Sequence, residues 1–165
     1  MGLNYEFKKA VHTIARLTPE DRQLLALRCA DIRQAEDALN KKAGRLLQKC
    51  TATCNGICCR NIRLAEIIGF YDFIYLLTVN GGMRSGMAAC LKHVPMFSGD
   101  CVFLKNGKGP CIFPSNARPR VCIISFCFDD TPVKREIRNV NSRFNALARF
   151  LFSRRLKTLV QFFPD

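Results

Sequence analysis

Four cysteines stand in the ten residues from Cys50 to Cys59, which read Cys-Thr-Ala-Thr-Cys-Asn-Gly-Ile-Cys-Cys. A second set follows at Cys101, Cys111, Cys122 and Cys127, so eight of the chain's ten cysteines fall into two groups. Thiols gathered this densely either oxidise in pairs or hold a soft cation, and both outcomes tie distant segments together. The start of the chain, Met-Gly-Leu-Asn-Tyr-Glu-Phe-Lys-Lys, lacks the basic end, apolar stretch and cleavage site of a secretory signal. The expected location is therefore the cytoplasm, where grouped cysteines serve more often as ligands than as structural disulfides.

The spacing narrows the ligand chemistry. Zinc takes four ligands and a four-iron cluster takes four thiolates, so eight cysteines supply one site with thiols to spare, or two sites. Cys50-x3-Cys54-x3-Cys58 is neither the paired CxxC knuckle of a zinc ribbon nor the CxxxCxxC of radical enzymes. Asn55-Gly56 marks a turn inside the run, which places these thiols on a loop; continued helix would put Cys50, Cys54 and Cys58 on one face. Cys90-Leu-Lys-His93 also has two-residue ligand spacing, a weaker signal than either group. The candidate metal ligands are thus Cys50, Cys54, Cys58, Cys59, Cys101, Cys111, Cys122 and Cys127. Cys29, on a helix far along the chain from both groups, is excluded.

The rest of the chain reads as helices around that centre. Tyr5, Val11, Ile14 and Leu17 recur at helical spacing over 3–17. Thr18-Pro19-Glu20-Asp21 is a helix start, with a capping hydroxyl, a proline suited to the first turn and two acids at the positive end. Leu25, Ile32, Leu39 and Leu46 then repeat every seven residues, predicting a helix to about Leu47. The longest apolar run, Ile67 to Val79, is broken by Gly69 and Asp72 and is too short to span a membrane. It predicts a centrally buried helix from about Leu64 to Thr78. Asn80-Gly81-Gly82 ends it, and 83–86 reads as a loop.

Between Val94 and Phe128 four prolines and several glycines exclude long helices, and 121–128 reads as short strands or extended ligand-bearing loops. Asp130-Thr131-Pro132 opens a last helix whose Val133, Ile137, Val140, Phe144, Leu147 and Leu151 step by four and three, with a bend expected near Ser153. The expected fold is mainly α: a single domain over 1–165, with amphipathic helices at 1–49 and 130–163 packed around a cysteine-rich, loop-dominated segment at 50–127 with little or no sheet.

The ordered pattern resembles the YkgJ-type cysteine-cluster family, a zinc- or iron-chelating domain. The matching residues are the leading run Cys50, Cys54, Cys58-Cys59, then Cys101-Val-Phe-Leu104, Cys111-Ile-Phe113, Arg118-Pro119, Cys122 and Cys127. The leading run has three-residue gaps where that family more often has two. The resemblance implies an iron–sulfur cluster or zinc held by cysteine thiolates, with a redox or protein-modification role. Larger proteins with a related cluster include flagellin lysine-N-methylases, which makes a small methylase-like or redox enzyme an alternative. Against it, the chain shows no glycine-rich cofactor loop and no acid–base set. Arg118, held extended by Pro119, is positioned either to reach cluster thiolates or a carboxylate, or to pair with Asp100 or Asp129.

The net charge of +13 raises a third class, a basic adaptor for nucleic acid or an acidic protein. The arginines and lysines lie mostly off the apolar stripes, as solvated helix faces do, and no nucleic-acid motif accompanies them. The expected partners are therefore a metal ion or cluster and a protein, rather than nucleic acid.

Overall fold

The computed structural model describes residues 2–44, 59, 67–92, 100–105, 111–114, 116–126 and 129–160, with side chains described as far as Arg154. Six α-helices occur among them: α1 Leu3–Arg16, α2 Pro19–Lys42, α3 Phe70–Val79, α4 Arg84–Lys92, α5 Arg120–Ile124 and α6 Lys134–Val160. Two short 3-10 turns, Gly81–Met83 and Thr131–Val133, lead into α4 and α6. The fold is mainly α; among the described residues the one piece of β pairing is an isolated antiparallel bridge between Leu104 and Cys111. None of the helices is long and apolar enough to cross a membrane.

The frame is an antiparallel pair, α2 and α6, the most extensive helix contact in the molecule. Two ion pairs bridge it: Arg154 Nε lies 3.1 Å from Asp21 near the start of α2, and Arg143 lies 3.9 Å from Asp31 midway along it. The buried stripe of α6 is the one its sequence pattern predicts, with Val140, Phe144, Leu147 and Leu151 all inside and Val133 just ahead of them. The helix runs on unbroken through Ser153, whose hydroxyl donates to the Phe150 carbonyl at 2.7 Å. On α2, Leu25, Ile32 and Leu39 are buried as expected, and Thr18 Oγ1 accepts the Asp21 N–H at 3.1 Å. That cap satisfies one of the four free amides a helix start leaves. α2 ends at Lys42, and Leu46 of the predicted stripe lies outside the described residues.

α3 lies against α1, α2 and α6. Four consecutive residues, Phe73, Ile74, Tyr75 and Leu76, are fully buried, which a helix shows only when it is covered on all sides. Edge-on aromatic contacts fasten it on two sides, Phe7–Phe73 to α1 and Tyr75–Phe144 to α6. It begins at Phe70 rather than near Leu64. The Asp72 carboxylate turns back to accept the Gly69 N–H at 3.0 Å and so fixes the start there.

Three further expectations are corrected. Tyr5 is 50% exposed, because the buried face of α1 is Leu3, Phe7 and Ala10. Residues 84–86 belong to α4, whose Met87 and Leu91 reach the core. Residues 120–124 are helical, since Pro119 stands in the N-cap position with an extended backbone and the following residues close i→i+3 and i→i+4 bonds onto it. The expectations for 45–58, 60–66, 93–99 and 106–110 lie outside the described residues.

Candidate metal centre

Two phenylalanines hold the central pair of thiols. The Leu104 N–H closes a turn onto the Cys101 carbonyl at 3.1 Å, and the Ile112 N–H reaches back to the Phe103 carbonyl at 2.8 Å. Beneath this, Phe103 and Phe113 are buried with ring centroids 4.8 Å apart. Burying two aromatic rings gives a short loop an anchor that its own backbone bonds could not supply. Cys101 and Cys111 are thereby placed on adjacent segments of chain. The Cys101 N–H also donates to the Cys59 carbonyl at 2.6 Å, which draws in the last residue of the leading cysteine run.

Cys122 arrives on α5, which Asp72 positions. This carboxylate is only 6% exposed and accepts two backbone amides, Gly69 N–H at the start of α3 and Arg120 N–H at 2.7 Å at the start of α5. Burial pushes the Asp72 carboxyl above its ordinary range, and the Gly69 and Arg120 hydrogen bonds oppose that shift. One side chain thus locks the thiol-bearing helix to the core.

Cys29, Cys90, Cys101, Cys111 and Cys122 are free thiols. Cys59, Cys101, Cys111 and Cys122 come from four separate stretches of chain to one locality. Cys101 is raised to about 12, first by burial and then, against a bond from the Phe103 backbone, by the charges of Cys111, Cys59 and Cys90. Cys122 is also raised to about 12, again by burial first and then by Cys101, Cys111 and Cys59. Cys122 has an open face to solvent although the protein crowds its sulfur; the open face decides whether a reagent reaches it. Cys29 stands apart: fully buried on α2 beside Thr78, it too is raised to about 12 by burial.

Arg118 supplies the counter-charge. Its charge lowers the Cys122 thiol and, on the other side, the Glu36 carboxyl. Its Nε is buried and without a hydrogen-bond partner among the described residues. The carboxyl of Glu36, on which its charge bears, is one that the sequence had not singled out. Asp129 instead accepts from the Thr131 hydroxyl and N–H.

Glu36 is the residue that sequence reasoning missed. It is fully buried on α2, accepts the Tyr75 hydroxyl at 2.6 Å through Oε2, and leaves Oε1 without a partner among the described residues. Burial raises it to about 7 against the Tyr75 hydrogen bond and the pull of Arg118, whose backbone N–H also bears on the carboxyl without satisfying Oε1. A signal was present: Leu25, Cys29, Ile32, Glu36, Leu39 and Ala43 step by four and three, so a carboxylate sits on the core stripe itself.

Of the eight predicted ligands, Cys59, Cys101 and Cys111 are linked by the Cys101–Cys59 backbone bond and the Leu104–Cys111 bridge, Cys122 lies on α5, and Cys50, Cys54, Cys58 and Cys127 lie outside the described residues. Among the described residues no three His, Cys, Asp or Glu side chains already stand close enough to hold a metal ion. The donor set nevertheless suits one. Burial first, and then the charge of neighbouring thiols, keeps Cys101 and Cys122 protonated; a soft cation would replace the protons and offset the charge. Compared with family models, curated proteins and solved structures, the chain matches none of them. The likeness to the YkgJ-type family therefore rests on the residues quoted above.

Proposed function

We propose that this is a cytoplasmic metal-binding protein of the YkgJ-type cysteine-cluster kind, which chelates an iron–sulfur cluster or zinc through clustered cysteine thiolates. The observation that carries this reading is the gathering of Cys59, Cys101 and Cys111 by the Cys101–Cys59 backbone bond and the Leu104–Cys111 bridge, with Cys122 close enough for their charges and that of Arg118 to bear on its thiol. When bound, a soft metal offers the site Lewis acidity or electron transfer. The chain's own part is to gather the sulfurs, shield them with Phe103 and Phe113, and offset their charge with Arg118.

The test is anaerobic purification followed by iron, zinc and acid-labile sulfide analysis with a visible spectrum. Near-stoichiometric iron with sulfide, or near-stoichiometric zinc, is expected. Metal-free protein with its native helical content and disulfide-bonded cysteines would refute the reading.

A second reading, a basic adaptor for an acidic partner, draws on one observation. A cavity of about 580 Å³ on α6 is lined by Arg138, Asn141, Ser142, Asn145, Ala148 and Arg149, a surface of polar donors with two cations. Binding of a polyanion that weakens steeply with salt, and that Arg138→Ala with Arg149→Ala abolishes, would favour it over simple solvation of these side chains.

A further inference from the structure

We propose that the outer face of α6, from Arg138 to Phe152, binds single-stranded RNA. The inference rests on the second reading above, a basic surface for an acidic partner, and names that partner. It departs from the sequence expectation against nucleic acid, for a reason that only packing supplies.

The arginines of α6 divide into two sets. Arg143 and Arg154 reach α2 and meet Asp31 and Asp21. Arg138 and Arg149 are exposed, line the recess of about 580 Å³ and form no ion pair among the described residues. Nothing acidic stands between 137 and 160, so this stretch of helix offers them no counter-charge of its own. Arg138, Asn141, Ser142, Asn145 and Arg149 step by three and four along one stripe, and Phe152 continues it. Phe152 is 61% exposed, whereas Phe144 on the opposite, core-facing side is buried. From Arg138 to Phe152 the stripe runs about 21 Å, room for about four nucleotides.

The chemistry of the stripe selects among polyanions. A protein interface is built on an apolar centre, and the apolar side chain lining this recess is Ala148. A bilayer surface would take the apolar side of the helix, which Val140, Phe144, Leu147 and Leu151 turn into the core. Duplex nucleic acid keeps its bases stacked on one another and leaves Phe152 no ring face to meet. A single strand supplies both needs: phosphates for Arg138 and Arg149, and an open base for Phe152 to stack on. Asn141, Ser142 and Asn145 each both donate and accept hydrogen bonds, as base edges and the ribose 2′-hydroxyl do, whereas carboxylates only accept.

The test uses the full chain, reduced, and the fluorescence anisotropy of a labelled oligouridylate of about twelve nucleotides. Arg138→Ala with Arg149→Ala should weaken binding about tenfold or more. It should also lower the slope of log affinity against log salt by about 1.4, the value for two phosphate contacts on a single strand. Phe152→Ala should weaken binding about fivefold or more and leave that slope unchanged, because stacking carries no charge. Undiminished binding by Phe152→Ala would overturn the proposal, as would equal or tighter binding of the matching oligodeoxynucleotide, of duplex RNA or of poly-glutamate. If either variant fails to fold by circular dichroism, ultraviolet cross-linking of the wild-type chain decides: an adduct at Phe152 supports the proposal, and adducts only in other segments overturn it. Should poly-glutamate bind through the two arginines while RNA does not, the RNA assignment alone falls. Should no polyanion bind, the second reading falls with it.

Discussion

The α2–α6 pair and the thiol region at 100–126 are held by different physics. The helix pair has a continuous apolar seam, a capped start on α2 and two ion pairs, one near the start of α2 and one midway along it. Among its described residues the thiol region has a five-residue helix, one isolated bridge, a tilted pair of buried phenylalanines and a single carboxylate that pins it to α3. Regular helices draw stability from many small, repeated burials. A short, proline-rich segment has few of these and depends on discrete fasteners, of which a bound metal would be the strongest. The comparison teaches that the scaffold should stand without the centre, whereas the centre's geometry should not be complete without its ligand.

The largest expected effect lies in the scaffold. Phe144→Ala removes a buried ring that meets Tyr75 edge-on at the α3–α6 contact. It should cost about 3–5 kcal/mol in urea unfolding, with or without a chelator present. A loss that appeared only in metal-loaded protein would break the separation between the two regions.

Next comes the buried carboxyl between them. Glu36 titrates near 7 in the fold against 4.5 as its ordinary value, so the fold prefers its protonated form. Its contribution is fully present below pH 4.5 and is lost as pH rises through about 7, a fall of about 3 kcal/mol in folding stability. Tyr75, Arg118 and Asp37 are the groups that bear on it. Glu36→Gln keeps an acceptor for the Tyr75 hydroxyl and has no proton to lose, so unfolding curves from pH 4.5 to 8 should flatten relative to wild type. An unchanged pH profile in the variant would remove Glu36 as the cause.

Two caps sharpen the comparison at a smaller scale. Asp72→Ala frees the amides of Gly69 and Arg120 and should cost about 2 kcal/mol, together with weaker zinc binding, because Cys122 rides on the loosened helix. Thr18→Ala should cost about 1 kcal/mol and leave zinc binding untouched. Calorimetric titration of both variants checks the contrast.

Legibility in the sequence followed the same divide. The stripes of α2 and α6 were readable because a seam buried along its whole length leaves a period, and Thr18-Pro19 announced its own cap. The thiol region left composition but no period, so the helix at 120–124 could not be distinguished from a strand. What anchors its first turn is a long-range bond from the Arg120 N–H to Asp72, forty-eight residues away. Glu36 was hidden by its charge: a carboxylate on a core stripe reads as a surface residue until Tyr75 is seen to meet it. Half of the candidate centre was legible as cysteine spacing.

Hydrogen exchange of the anaerobic, metal-loaded protein before and after a strong chelator tests the central claim most directly. The account predicts that chelation releases the amides of Leu104, Ile112 and Cys122, which close the turns around the thiols, while those of Leu39 and Phe144 in the helix pair stay protected. Unchanged protection of Leu104, Ile112 and Cys122 after the metal has left would contradict it.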